Sequence, residues 1–140
     1  MPLLEISSVV LVSAEPEQVW QLAVDWSRQQ DWVWRTRVHG GTGVGAHVVA
    51  RTGVGPVAIT DTMVITQWDP PRRCVVRHTG KIVRGLGVLE VTRLGSSSEF
   101  RWTEQLDLPR PLAGRLGRWL VAPPARWVLA LSLRRFARMF

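Results

Sequence analysis

Between residues 34 and 108 the chain reads as six strand-like segments, 34–39, 46–52, 57–68, 73–79, 82–94 and 98–108. The breaks between them, GGTGVG, TGVGP, DPPR, GK and GSSS, are short and rich in Gly, Pro and Asp, which favour turns. Consecutive strands joined by tight turns can pair only antiparallel, so this feature excludes helical bundles and parallel α/β folds. Before the segments stand a further strand, LEISSVVLV at 4–12, and two short helical stretches. The first of these is expected to be capped by Ser13, and the second to run from Asp25 to about Asp31. After them comes a helical segment whose main helix is expected to start at Pro123-Pro124, because proline suits a first turn. On that helix Ala125, Val128, Leu129, Ser132, Phe136 and Phe140 share one side, and Trp127 and Leu131 are expected to pack on 112–120.

Alternation along each strand separates the side chains that face the interior from those that face water. In 98–108 the apolar set holds Phe100, Trp102, Leu106 and Leu108, and with them the carboxylate Glu104. In 57–68 the set Val57, Ile59, Met63 and Ile65 includes Asp61, and in 73–79 Cys74 and Val76 are joined by His78. In 34–39, Trp34, Thr36 and Val38 face inward. Segment 82–94 contributes Val83, Leu89 and Val91, with Gly85 and Gly87 on the same face, leaving room there. Three ionisable groups, Asp61, His78 and Glu104, are therefore placed in an otherwise apolar interior.

Tight turns give an expected register. A turn at 69–72 pairs Trp68 with Arg73 and Met63 with His78, which sets Asp61 diagonal to His78, about 7–8 Å away between backbones. A turn at Gly80-Lys81 pairs His78 with Val83, and one through Gly95–Ser98 pairs Leu89 with Glu104. Glu104 then lies level with Leu89 and Arg72, roughly 20 Å from His78 along the strand direction. This register forbids a Glu104–His78 dyad. It sets Asp61 and His78 near the rim and Glu104 deep, held by Arg72 or a tryptophan N–H, or serving as an anchor for a ligand hydroxyl or carbonyl.

The strand and helix entry EISSVVLVSAEPEQVWQLAVDWSRQQDW, the final strand FRWTEQLDLP and the long C-terminal helix together resemble the START-like (SRPBCC) superfamily, and within it the polyketide cyclase/dehydrase and lipid-transport group. The resemblance spans the whole chain as one domain, 1–140. It implies an α+β helix-grip fold, in which a seven-stranded curved antiparallel sheet wraps around a long C-terminal helix, with two short helices between strands 1 and 2. It implies an internal cavity for a hydrophobic small molecule, lipid or polyketide-like, and no cofactor. One departure is Trp32-Val33-Trp34, where many relatives carry a proline. On this reading the wall comprises Met63, Ile65, Val76, Val83, Leu89, Trp102, Leu129 and Phe136, with Trp32 and Trp34 at the lip and Glu104 as the deep polar group. The alternative is a cyclase/dehydrase-type enzyme with Asp61 and His78 as the acid–base pair.

Charge and cysteine set the remaining bounds. The lone cysteine, Cys74, allows no internal disulfide. Neither Cys74 nor the three histidines have metal-ligand spacing, and the glycine-rich 40–47 stretch is followed by a strand, so it offers no phosphate cradle. No signal peptide or comfortable membrane span is legible, and a cytoplasmic protein is expected. The net charge is +7, yet residues 1–109 balance; the excess is Arg110, Arg115, Arg118, Arg126, Arg134, Arg135 and Arg138, with no acid beside them. Such a segment suits a solvated helix face, an anionic membrane surface, RNA or an acidic partner; no DNA partner is expected.

Overall fold

In the computed structural model, residues 4–140 are described. Seven antiparallel strands form one curved sheet: β1 (Leu4–Val12), β2 (Thr36–Gly40), β3 (His47–Thr52), β4 (Ile59–Asp69), β5 (Arg73–Thr79), β6 (Arg84–Leu94) and β7 (Ser97–Leu106). Their order is β1-β7-β6-β5-β4-β3-β2. Helix α1 (Pro16–Ala23) and a 3-10 turn (Trp26–Asp31) link β1 to β2, and the long α2 (Arg115–Ala137) closes the chain. This is the expected helix-grip arrangement.

Local chemistry explains where element ends depart from expectation. The cap of α1 is Glu15, not Ser13: Pro16 presets the first helical φ, so the residue before it must cap, and the Glu15 N–H donates to Gln18 Oε1 at 3.2 Å. Strand β2 starts at Thr36 because Arg35 takes a left-handed φ of 45°, which breaks extension. Helix α2 begins at Arg115 and runs through Pro123 and Pro124, eight residues before its expected start. Each proline deprives the carbonyl four residues back of its N–H partner. Those carbonyls belong to Trp119 and Leu120, which are solvent-exposed, so water can take the vacated place.

The core divides in two. Val12, Val19, Trp32, Ile65, Phe100, Leu133 and Phe136 belong to the main cluster. Within it, Trp32 meets Phe100 and Phe136 edge-on at 5.9 and 5.0 Å. Full burial of each such ring is worth about 2–3 kcal/mol or more. Leu4, Ile6, Ala122 and Leu129 form a smaller cluster that seats α2 on β1. Trp127 does not pack on 112–120; it is half exposed and meets Trp34 edge-on at 5.9 Å.

Candidate functional site

Between the two clusters the concave face of the sheet and α2 do not close. They leave a cavity of about 340 Å³. Its wall includes Val38 of β2, Val48 and Ala50 of β3, Met63 of β4, Val76 of β5, Leu89 of β6, Trp102 of β7, and Ala125, Val128 and Leu129 of α2. Val76, Leu89 and Trp102 are apolar and point inward, yet retain partial exposure, because they border empty space. The cavity reaches the surface where Ile59, at the start of β4, is 41% exposed.

Of the residues expected to form the wall, Met63, Val76, Val83, Leu89, Trp102 and Leu129 line the cavity, as do Glu104, Asp61 and His78; Trp32, expected at the lip, lines it instead from the main core, 1% exposed. Ile65, Phe136 and Trp34 do not. Ile65 and Phe136 are fully buried in the main cluster, and Trp34 packs edge-on against Trp127. Val48 and Ala50 are wall residues that the sequence reading does not single out. Their alternation in HVVART, with every second residue buried, is the signal that could have found them.

The three ionisable groups meet, which corrects the expected separation of Glu104 from His78. His78 Nδ1 lies 2.9 Å from Asp61 Oδ1, and His78 Nε2 lies 2.8 Å from Glu104 Oε2. Met63 pairs with His78 as expected, so Asp61 on β4 reaches diagonally across to β5. Glu104, however, pairs with Gly87, and Gly87 with Val76, so Glu104 sits only two residues from the level of His78. Asp61, His78 and Glu104 therefore stand together, not at rim and floor. Arg72 is not the partner of Glu104; it is exposed and bonded to Asp69 at 3.1 Å.

Strand β6 stands between His78 and Glu104, and its glycines let them touch. A β-carbon at Gly87 would lie 3.2 and 3.3 Å from the Glu104 carboxylate oxygens and 3.0 Å from Val76. Gly85, opposite His78, has φ +119°, and a β-carbon there would fall 1.8 Å from the Gln105 carbonyl oxygen. Any side chain at either position would intrude on the contact or on the ladder. The Trp102 Nε1–H donates to Glu104 Oε1 at 3.0 Å, fixing the carboxylate from the neighbouring inward position.

Electrostatics follow from this packing. The His78 side chain is 3% exposed. Burial alone would lower its pKa, but hydrogen bonds to Asp61 and Glu104, reinforced by their charges, push it up to about 10. At neutral pH the ring is an imidazolium with both N–H groups spent on carboxylates. It has no lone pair left to accept a proton or bind a metal. Burial pushes the Cys74 thiol up to about 12, so it is no nucleophile near neutrality.

The profile of a family described as polyketide cyclase / dehydrase and lipid transport matches residues 4–140. No curated protein matched the chain by sequence. Among solved structures, the protein TTHA0849 from Thermus thermophilus superposes with a TM-score of 0.81 at 17% identity, covering 96% of this chain and 94% of that one. Ms6760 from Mycobacterium smegmatis gives 0.71 at 11% identity, covering 98% and 90%. The di-domain ARO/CYC StfQ of the steffimycin biosynthetic pathway gives 0.78 at 12% identity, covering 97% of this chain and 50% of StfQ. Identities this low establish the shared fold and nothing more. Among the described residues, no helix is long and apolar enough to cross a membrane.

Proposed function

The chain belongs to the polyketide cyclase/dehydrase and lipid transport family, and from that premise we propose that it binds a compact hydrophobic small molecule carrying a hydroxyl. One observation carries this reading: the Asp61–His78–Glu104 cluster supplies the only charged groups on the wall of a largely apolar cavity, among the described residues. Both His78 nitrogens donate, and one Glu104 oxygen already accepts from Trp102. What the cluster still offers a ligand is carboxylate lone pairs. It therefore asks for a hydrogen-bond donor, such as a phenol or alcohol. With two carboxylates against one imidazolium it repels a fatty-acid or other carboxylate ligand. A volume near the lower end of the roughly 300–1,000 Å³ typical of small-molecule pockets favours a fused-ring body over a long acyl chain.

The test is a competition against N-phenyl-1-naphthylamine, a neutral fluorescent probe. Displacement by 1-naphthol should exceed that by naphthalene by about tenfold or more, the worth of a hydrogen bond to a charged group. Displacement by 1-naphthoate should be negligible. Val76→Trp, which fills the cavity, should abolish probe binding without unfolding the chain. Failure of the probe to bind, or equal displacement by 1-naphthoate, removes this reading.

The cluster's position inside the cavity favours a second reading, an enzyme of the cyclase/dehydrase type. Because His78 is held as an imidazolium, the proton acceptor would be Asp61, with His78 orienting it. Exchange of the α-protons of bound 2-tetralone into heavy water, abolished by Asp61→Asn, would support it. Exchange no faster than in buffer leaves binding alone.

A further inference from the structure

The registers bring separate parts of the chain to one end of the sheet. Leu4 of β1 faces Leu106, Leu106 faces Gly85, Gly85 faces His78, and His78 faces Met63. The loop before β4, the β5–β6 loop and the segment leading into α2 therefore all leave the sheet at that end, where the cavity opens beside Ile59. The two loops and the first turns of α2 carry large apolar side chains turned to water. Val57 is 75% exposed, Leu116 and Trp119 are each 72% exposed, and Val54, Ile82 and Leu120 are also exposed.

The first half of α2 is apolar on two sides. Gly117 and Ala122 face the protein, while Leu116, Trp119 and Leu120 are exposed on the far side, with no described residue covering them. A helix with one packed apolar stripe needs no second one for folding. Beside that stripe, Arg115, Arg118, Trp119 and Arg126 border an open groove. Arg51, Lys81, Arg84 and Arg110 stand at the same end, and Asp107 is the single acid in these segments. Exposed tryptophan and leucine flanked by arginine, with almost no acid, match the layered chemistry of a bilayer surface, apolar beneath and anionic above.

We propose that this end of the molecule docks on an anionic lipid bilayer, so that the cavity opens toward the membrane. The proposal stands apart from the binding reading above: each test can fail while the other succeeds.

The experiment is co-sedimentation of the full chain with vesicles of phosphatidylcholine alone and of phosphatidylcholine carrying a minority of phosphatidylglycerol. Sedimentation is expected with the phosphatidylglycerol vesicles and should be weak with phosphatidylcholine alone. It should fall when salt is raised to about 1 M, where charges are screened beyond about 3 Å. The double variant Arg115→Gln/Arg126→Gln should bind about thirtyfold more weakly, each arginine near the surface contributing about a factor of five. Leu116→Ser/Trp119→Ser should abolish sedimentation, and so should Val57→Ser/Ile82→Ser, which alters separate loops and guards against a folding defect in α2. The proposal is overturned if the wild type stays in the supernatant, if it sediments equally with both vesicle types, or if the apolar variants sediment like the wild type. It is also overturned if ultracentrifugation shows a dimer that Leu116→Ser/Trp119→Ser dissociates, or if poly(U) competes the chain off the vesicles.

Discussion

Replacing His78 by alanine tests the electrostatic logic of the site most directly. Among the described residues His78 is the only cation facing Asp61 and Glu104, and its side chain is almost wholly buried. Its pKa rises from 6.5 to about 10 on folding. At about 1.4 kcal/mol per unit this sets a ceiling of roughly 5 kcal/mol on its contribution. Breaking a buried ion pair by removing one partner costs about 3–5 kcal/mol, in agreement. Because Asp61 and Glu104 keep some contact with solvent, the lower end, about 3 kcal/mol, is expected at pH 7. The sign is fixed by linkage. A folded pKa above the unfolded one gives stability that is complete below pH 6.5 and is lost as pH rises toward 10. Wild-type stability should therefore decline from pH 7 to pH 10, and His78→Ala should lack that component of the decline. The gap between wild type and variant should therefore be widest at pH 5 and close toward pH 9. Urea unfolding followed by tryptophan fluorescence at pH 5, 7 and 9 measures all three. A loss below about 1 kcal/mol at pH 7, or a gap unchanged across the series, would refute the account.

Gly85→Ala should cost about 2 kcal/mol or more in urea unfolding, since φ is +119° and the added carbon would collide with the Gln105 carbonyl. Gly87→Ala should cost less, because its neighbours need yield only a few tenths of an ångström, but it should weaken N-phenyl-1-naphthylamine binding by displacing Glu104. Pro124→Ala should stabilise the protein. An interior helical proline is about 3 kcal/mol worse than alanine, offset by up to about 1 kcal/mol of chain stiffness lost from the unfolded state. The net gain of about 2 kcal/mol should raise Tm by about 5 °C, and an unchanged or lowered Tm would contradict it.

The inward faces of the strands were legible in the sequence because burial imposes a period of two. Asp61, His78 and Glu104 were found that way. Their height along the sheet was not legible. The β5–β6 loop takes four residues, Gly80 to Val83, where two were expected. The β6–β7 turn sits at Gly95-Ser96, one residue early, with Gly95 at φ +62°. Each difference slides the pairing by two residues, which preserves parity and leaves every hydrophobic pattern satisfied. The two slips add, and they bring Glu104 from the level of Arg72 to that of Val76. A third irregularity, the bulge between Ile65 and Gln67, does change parity and pairs Trp68 with Cys74, but it lies beyond Met63 and leaves the Asp61–His78 contact intact. Composition of a glycine-rich break does not specify its length to one residue, so distances between strands two apart lay out of reach.

The same slip reassigns the glycines. With Leu89 opposite Glu104, Gly85 and Gly87 were space for a ligand or an indole. With Gly87 opposite Glu104, they are the gap through which a histidine on β5 and a glutamate on β7 reach each other across an intervening strand. A sheet that needed only stability would not need the three ionisable groups: replacing a buried ion cluster by well-packed apolar side chains is often neutral or stabilising by about 1–4 kcal/mol. Three ionisable side chains thus stand where three apolar ones could hold the sheet at least as well. The fold does not require the cluster, which directs attention to what the cavity is for. A triple variant Asp61→Leu/His78→Leu/Glu104→Leu separates the two roles. It should match or exceed wild-type stability in urea while losing the preference for 1-naphthol over naphthalene. Collapse of the triple variant would show instead that the cluster is there to hold β4, β5 and β7 together.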